Sequence, residues 1–326
     1  MTATPLSILD LATVEANGTI ADAFHHSVEM AQLAETGGYT RIWYAEHHNM
    51  PSIASSATSV LIAHIAAHTQ TIGLGSGGVM LPNHSPLVIA EQFGTLAELH
   101  PGRIHLGLGR APGTDGATFR ALRRTYEAAD NFPADVAELQ KYLSDELPRK
   151  AVNAYPGRGT RVPITILGSS LFGASLAAQY GLPYSFASHF APQALKSAIQ
   201  HYRSHYVPSE AHPEPYASAG VNVAAADTDA EAEALFARTE VNRVRQFLSR
   251  GREEELNFDE ASQLVDTPAG REIRGMMQYT AIGGPTRVRE ELEAFAKFAD
   301  VDELVTVHAA PTRAEQLESV RLTAQA

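Results

Sequence analysis

Short apolar runs alternate with longer segments of helical period along this chain, and the alternation repeats from one terminus to the other. That pattern predicts parallel strands joined by helices. Residues 6–11, LSILDL, read as a first strand. Ile20, Phe24, Val28, Ala31 and Ala34 then share one helical face, and Gly37-Gly38 stops that helix. Further strands are expected at residues 41–45, 71–81, 103–108, 163–167, 184–188, 217–225 and 303–307, with helices between them. About eight strand and helix pairs without a proline-rich linker predict an α/β fold, a (β/α)8 TIM barrel forming one domain over residues 1–326. An open doubly wound sheet with an extra domain is the alternative. Residues 249–277 break the rhythm. They are acidic, polar and too long for a simple connection, which predicts an inserted lid-like segment or a disordered loop.

Composition removes several classes of chemistry. The chain has no cysteine, so disulfides, zinc–thiolate sites, iron–sulfur clusters and a thiol nucleophile are excluded together. No stretch reaches the roughly 18 apolar residues that span a bilayer, and the opening MTATPLSILDL has no cationic region followed by an apolar run. A cytoplasmic protein with no membrane partner is the expectation. The net charge of -12 argues against a nucleic-acid partner, so any bound anion must find a local positive site.

In a parallel barrel the strand ends that lead into helices face one mouth. That placement selects Glu46, His47, His48, Gly77, Gly78, Arg110, Ser169, Ser170 and Ser188. His47 and His48 point to opposite sides while a strand persists, the order is not H-E-x-x-H, and no third ligand stands at a telling spacing, so no metal site is expected. An imidazole at the mouth beside a carboxylate suits general acid or base work. The alternative is that Glu46 and His48 close the strand end with hydrogen bonds. Gly73-Leu74-Gly75-Ser76-Gly77-Gly78 formally satisfies G-x-G-x-x-G, but Val79-Met80-Leu81-Pro82 continues extended and opens no helix, so a dinucleotide turn is rejected. Glycines late in a strand suggest a bulge, unusual peptide geometry, or backbone against a flat ligand; a packing kink is the plain alternative. Arg110 can grip a phosphate, and Ser169 and Ser170 precede a helix whose N-terminus can seat one. A surface salt bridge and an N-cap are the ordinary alternatives.

These stretches, in this order, resemble the bacterial luciferase-like flavin-dependent monooxygenases over nearly the whole chain. WYAEHHN is similar to that family's second-strand motif, which makes His47 the catalytic histidine, with Glu46 beside it. SGGVMLPNHSP is similar to the third-strand motif, with a non-prolyl cis peptide at Gly77-Gly78 behind the isoalloxazine. HPGRIHLGLGR makes Arg110 the phosphate arginine, and ILGSSLFGASLAAQYGLPYSFA places Ser169 and Ser170 at the phosphate. Gly109 stands where luciferase proper carries a reactive cysteine, so light emission is not implied. The resemblance implies FMN, supplied as FMNH2 by a separate flavin reductase, with O2 as cosubstrate. A C4a-(hydro)peroxide would then transfer one oxygen atom to a small organic substrate. A deazaflavin-dependent hydride-transfer enzyme and a noncatalytic flavin-binding protein are the readings within the same fold, and a metal-dependent hydrolase using His47 lies outside it. The loop at residues 111–132 and the lid-like segment are expected on the substrate side. Alanine-rich helices at residues 57–67 and 88–99 are expected to bury a homodimer face.

Overall fold

The computed structural model describes residues 3–15, 18–111, 115–249, 252 and 254–325. Its strands are β1 (Leu6–Asp10), β2 (Arg41–Tyr44), β3 (Gly73–Met80), β4 (Ile104–Gly109), β5 (Ile164–Gly168), β6 (Tyr184–Phe186), β7 (Ala217–Ala225), β8 (Thr280–Gly283) and β9 (Glu303–Val307). Every pairing is parallel, in the order β6-β5-β4-β3-β2-β1-β9-β7, and Tyr184↔Ala217 joins β6 to β7 and closes the ring. The eight strands expected from the sequence are the eight strands of this closed barrel. The ninth, β8, pairs with the second half of β7 from Asn222↔Thr280 to Ala225↔Gly283.

The helices are α1 (Ile20–Thr36), α2 (Thr58–Ala66), α3 (Pro86–Leu99), α4 (Gly116–Ala121), α5 (Phe132–Leu143), α6 (Leu171–Tyr180), α7 (Leu195–Ser204), α8 (Asp229–Leu248), α9 (Phe258–Leu264), α10 (Pro268–Gly275), α11 (Pro285–Ala299) and α12 (Arg313–Ala324). Local chemistry sets their ends. Thr19 with Asp22 and Thr228 with Glu231 form capping boxes that satisfy the first N–H groups of α1 and α8. α1 turns Met30, Ala31 and Ala34 onto the sheet, and these join Ile8, Ile42 and Leu74 in the core between barrel and helices. A second cluster places Val221, Val223 and Ala225 of β7 against Val288 and Leu292 of α11. The odd-numbered residues of β7 therefore face outward, and Ser218, Gly220 and Asn222 face the barrel interior.

The lid-like segment differs from the sequence reading. Residues 250, 251 and 253 of the lid-like segment lie outside the described residues. Much of the remainder is not irregular: α9 and α10 dock on α8 with Leu256, Ala261, Ile273 and Met277 buried, and Arg274 bridges Glu240 at 2.7 Å and Asp266 at 3.0 Å. The helices are too short for their apolar spacing to register as periodicity, which is why the polar composition dominated the reading. Residues 112–114 of the other loop also lie outside the described residues. Beyond them Asp115 caps α4 and accepts a hydrogen bond from Asn49 at 3.2 Å, tying this loop to the end of β2. No described helix is long and apolar enough to cross a membrane.

Candidate active site

The inner face of β3 lacks side chains because its neighbours fill the space. A Cβ on Gly75 would come 2.6 Å from the Trp43 ring, and one on Gly77 would come 2.7 Å from Trp43 Cβ and 3.0 Å from Leu9 Cδ1. At Gly78 it would meet Leu167 Cδ1 at 2.4 Å and the Gly107 carbonyl oxygen at 2.7 Å. The second contact is with backbone, so a side chain there requires β3 and β4 to separate. The Gly77-Gly78 peptide is cis, as the resemblance implies, and the β3–β4 register shifts between Ser76 and Val79. Leu9 and Leu167 remain partly exposed, and each sets a methyl group against the glycine pair.

Glu46 follows β2 and is almost fully buried, at 1% exposure. His48 Nε2 donates to its carboxylate at 2.8 Å, His84 Nε2 at 2.9 Å, the Met80 amide at 3.0 Å and Asn83 Nδ2 at 3.3 Å. Burial alone would raise the acid's pKa; the bonds from His48 and His84, the His84 charge and the Met80 amide together outweigh it and hold the carboxyl down at about 2. This is the strand-end hydrogen bonding weighed against a catalytic role, and it fastens the end of β2 to the segment leaving β3. His84 lies within SGGVMLPNHSP, but only the fold reveals it as Glu46's partner. His47, between these two residues, is half-buried, and its backbone N–H donates to the Ser55 carbonyl at 3.0 Å.

Arg110 follows Gly109, which pairs with Met80, so arginine and glycine pair lie at the same mouth on adjacent strands. The guanidinium sits 4.0 Å over the Phe172 ring in the first turn of α6. Among the described residues no carboxylate forms an ion pair with it. Ser169 and Ser170 are exposed, and Ser170 is the N-cap of α6 without a side-chain capping bond, so this helix starts with open N–H donors beside a cation. The Tyr184 hydroxyl donates to the Ser170 carbonyl at 3.1 Å and holds the turn in place. Ser188 does something else. Its buried hydroxyl donates to the Gly220 carbonyl at 2.6 Å and links the end of β6 to β7.

His189, next to Ser188, carries no motif and was missed by the sequence reading. It stands at the end of β6, opposite β2 in the eight-strand ring. Burial, the Arg243 charge and His47 together depress its pKa to about 3. Arg243 comes from α8, far along the chain, and was equally illegible. Among the described residues no group of three or more His, Cys, Asp and Glu is placed to hold a metal ion.

The sequence profile of the luciferase-like monooxygenases matches residues 4–301. A luciferase-like monooxygenase of Escherichia coli K12 is 48% identical over 302 residues, covering 92% of this chain and 90% of that protein. The N-acetyl-S-alkylcysteine monooxygenase of Bacillus subtilis 168 is 39% identical over 210 residues, 62% of this chain and 63% of that one. Among solved structures, apo-MsnO8 is similar with a TM-score of 0.88 at 35% identity, covering 99% of this chain and 97% of the other.

Proposed function

The chain belongs to the luciferase-like monooxygenase family, and from that premise we propose that it is an FMNH2-dependent monooxygenase. It takes reduced FMN from a separate flavin reductase and uses O2 to oxygenate a small organic substrate in the cytoplasm. One observation carries the reading. The consecutive strand ends of β3, β4 and β5 bring to one mouth a side-chain-free peptide, an arginine with no carboxylate partner among the described residues and a helix N-terminus without a side-chain cap, with His47 flanking them just past β2.

That donor set fits FMN. Arg110, the hydroxyls of Ser169 and Ser170 and the first N–H groups of α6 would hold the phosphate; the Gly77-Gly78 backbone would take the flat ring. Bound reduced flavin supplies the electrons that let one atom of O2 enter the substrate while the other leaves as water. The chain's own part is to exclude water and handle protons. Leu9, Trp43 and Leu167 close the barrel beneath the site, and the His47 imidazole takes up and returns the proton at the mouth. Glu46 acts through others, holding the segment that carries His47 against β3. The G-x-G-x-x-G run is barrel strand β3, which supports assigning reduction to a partner enzyme. Exposed Val60 and Val88 on α2 and α3 support the homodimer.

Anaerobic titration with reduced FMN, followed by mixing with oxygen, tests this. The expected result is tight binding of FMNH2, slowed oxidation of the bound flavin relative to free flavin, and faster release of hydrogen peroxide from His47→Ala. Binding of a deazaflavin with none of FMNH2 would replace oxygenation by hydride transfer. Tight oxidised FMN with unaltered oxygen chemistry would make the protein a flavin carrier.

A further inference from the structure

Gly220 faces the barrel interior from β7, and the ring of His189 occupies the place of its missing side chain. A Cβ on Gly220 would lie 2.2 Å from His189 Nδ1, 3.1 Å from Cγ and 3.2 Å from Cε1. The imidazole therefore stands on its Nδ1 edge against the strand, with Nε2 and Cδ2 turned away from β7. Three contacts fix it there. Asn222 Nδ2 donates to the His189 carbonyl at 2.8 Å, Ser188 pins the preceding residue to Gly220, and Phe190 packs edge-on with ring centroids 4.9 Å apart. Nδ1 is buried and, among the described residues, has no hydrogen-bond partner.

That orphan atom settles the tautomer. A proton on Nδ1 would be a buried donor with nothing to receive it, and a bare lone pair there is the smaller loss. The proton belongs on Nε2. Burial and the charges of Arg243 and His47 oppose a second proton, so the ring stays neutral through the physiological range.

We propose that His189 is a substrate-contacting residue, a fixed Nε2–H donor that receives an acceptor oxygen of the organic substrate. The proposal rests on the monooxygenase reading, which assigns β3, β4 and β5 to the flavin and leaves the arc from β6 through β7 to the second ligand. It names the group recognised: a carbonyl-type acceptor oxygen on a molecule with an apolar part. Exposed Phe190 beside the donor suits the apolar part.

Acetophenone and ethylbenzene, which share shape and differ in the oxygen, serve as probes against the full chain loaded with FMN. Wild type should bind acetophenone about 2- to 12-fold more tightly than ethylbenzene, the worth of one neutral hydrogen bond. His189→Leu should abolish the preference, and His189→Gln, which keeps an N–H donor, should restore part of it. Side-chain 15N NMR, with His189 assigned by its absence from His189→Gln, should show the Nε2–H tautomer and a shift of that proton with acetophenone alone. FMN affinity measured on the same samples separates the two proposals, because His189→Leu should leave it unchanged. An Nδ1–H tautomer, no preference in wild type, or a preference surviving in His189→Leu overturns the assignment. So does weakened FMN binding with the probe preference intact, which would give His189 to the cofactor.

Discussion

Burial strips a carboxylate of water, and Glu46 keeps its charge because donors from His48, His84, Asn83 and the Met80 amide replace that water. Its pKa falls from 4.5 to about 2, so the folded state binds the proton less tightly than the unfolded chain does. For a depressed acid the stabilisation is complete above the unfolded value and is lost as pH falls through the folded one. The drop corresponds to roughly 3 kcal/mol at neutral pH. Urea unfolding should therefore show wild type more stable than Glu46→Gln by about 1–3 kcal/mol at pH 7, with the gap closing between pH 4.5 and 2. A gap that stays constant over that window would mean the clasp does not depend on the charge. Neighbouring letters made Glu46, His47 and His48 legible as candidates, but which imidazole meets the carboxylate depends on chain reversal after β3, and that brings in His84. His189 had no comparable signal: what marks it is a glycine opposite, on another strand.

Helix α6 and strand β4 meet at the cation they share. The start of α6 has open N–H groups and Ser170 makes no side-chain cap, while the guanidinium of Arg110, from the end of β4, stands over the Phe172 ring. Each helix N-terminus favours an anion by about 0.3–1 kcal/mol, and a charge-assisted bond from arginine adds about 1.5–3 kcal/mol. Arg110→Ala should then weaken FMN about 10- to 100-fold while riboflavin, which lacks the phosphate, binds as before. Equal losses for both flavins in fluorescence titrations would move Arg110 from the phosphate to the ring. At this scale the sequence was most readable, because strand and helix periods are local. All eight ring strands were anticipated, with bounds differing by a few residues. β8 was not: four residues, TAIG, are too short for a period to show. Helix α12 was passed over as well, since its polar residues spread around the helix and only its packed face, with Val320 and Leu322, goes inside.

At the scale of the whole molecule the proposed homodimer makes its own predictions. Helices α2 and α3 lie side by side, bridged by Ser59 donating to Gln92 at 2.9 Å, and they leave Val60 69% and Val88 43% exposed. Leu99 adds a further apolar residue at the end of α3, 65% exposed. Against association stands the net charge of -12, which makes two copies repel over the screening length, about 8 Å at physiological salt. If these helices form the homodimer face, apolar burial drives association and salt strengthens it by screening the repulsion. Sedimentation equilibrium should show a dimer whose dissociation constant falls as NaCl rises from about 50 mM to about 500 mM, a range over which the screening length shortens several-fold. Val60→Asp with Val88→Asp should give a monomer. Because both side chains are already in water in the single chain, its unfolding free energy per protomer at low concentration should stay within about 0.5 kcal/mol of wild type. A wild-type chain that sediments as a monomer at every salt concentration, or a dimer that ignores both aspartates, would remove α2 and α3 from the interface.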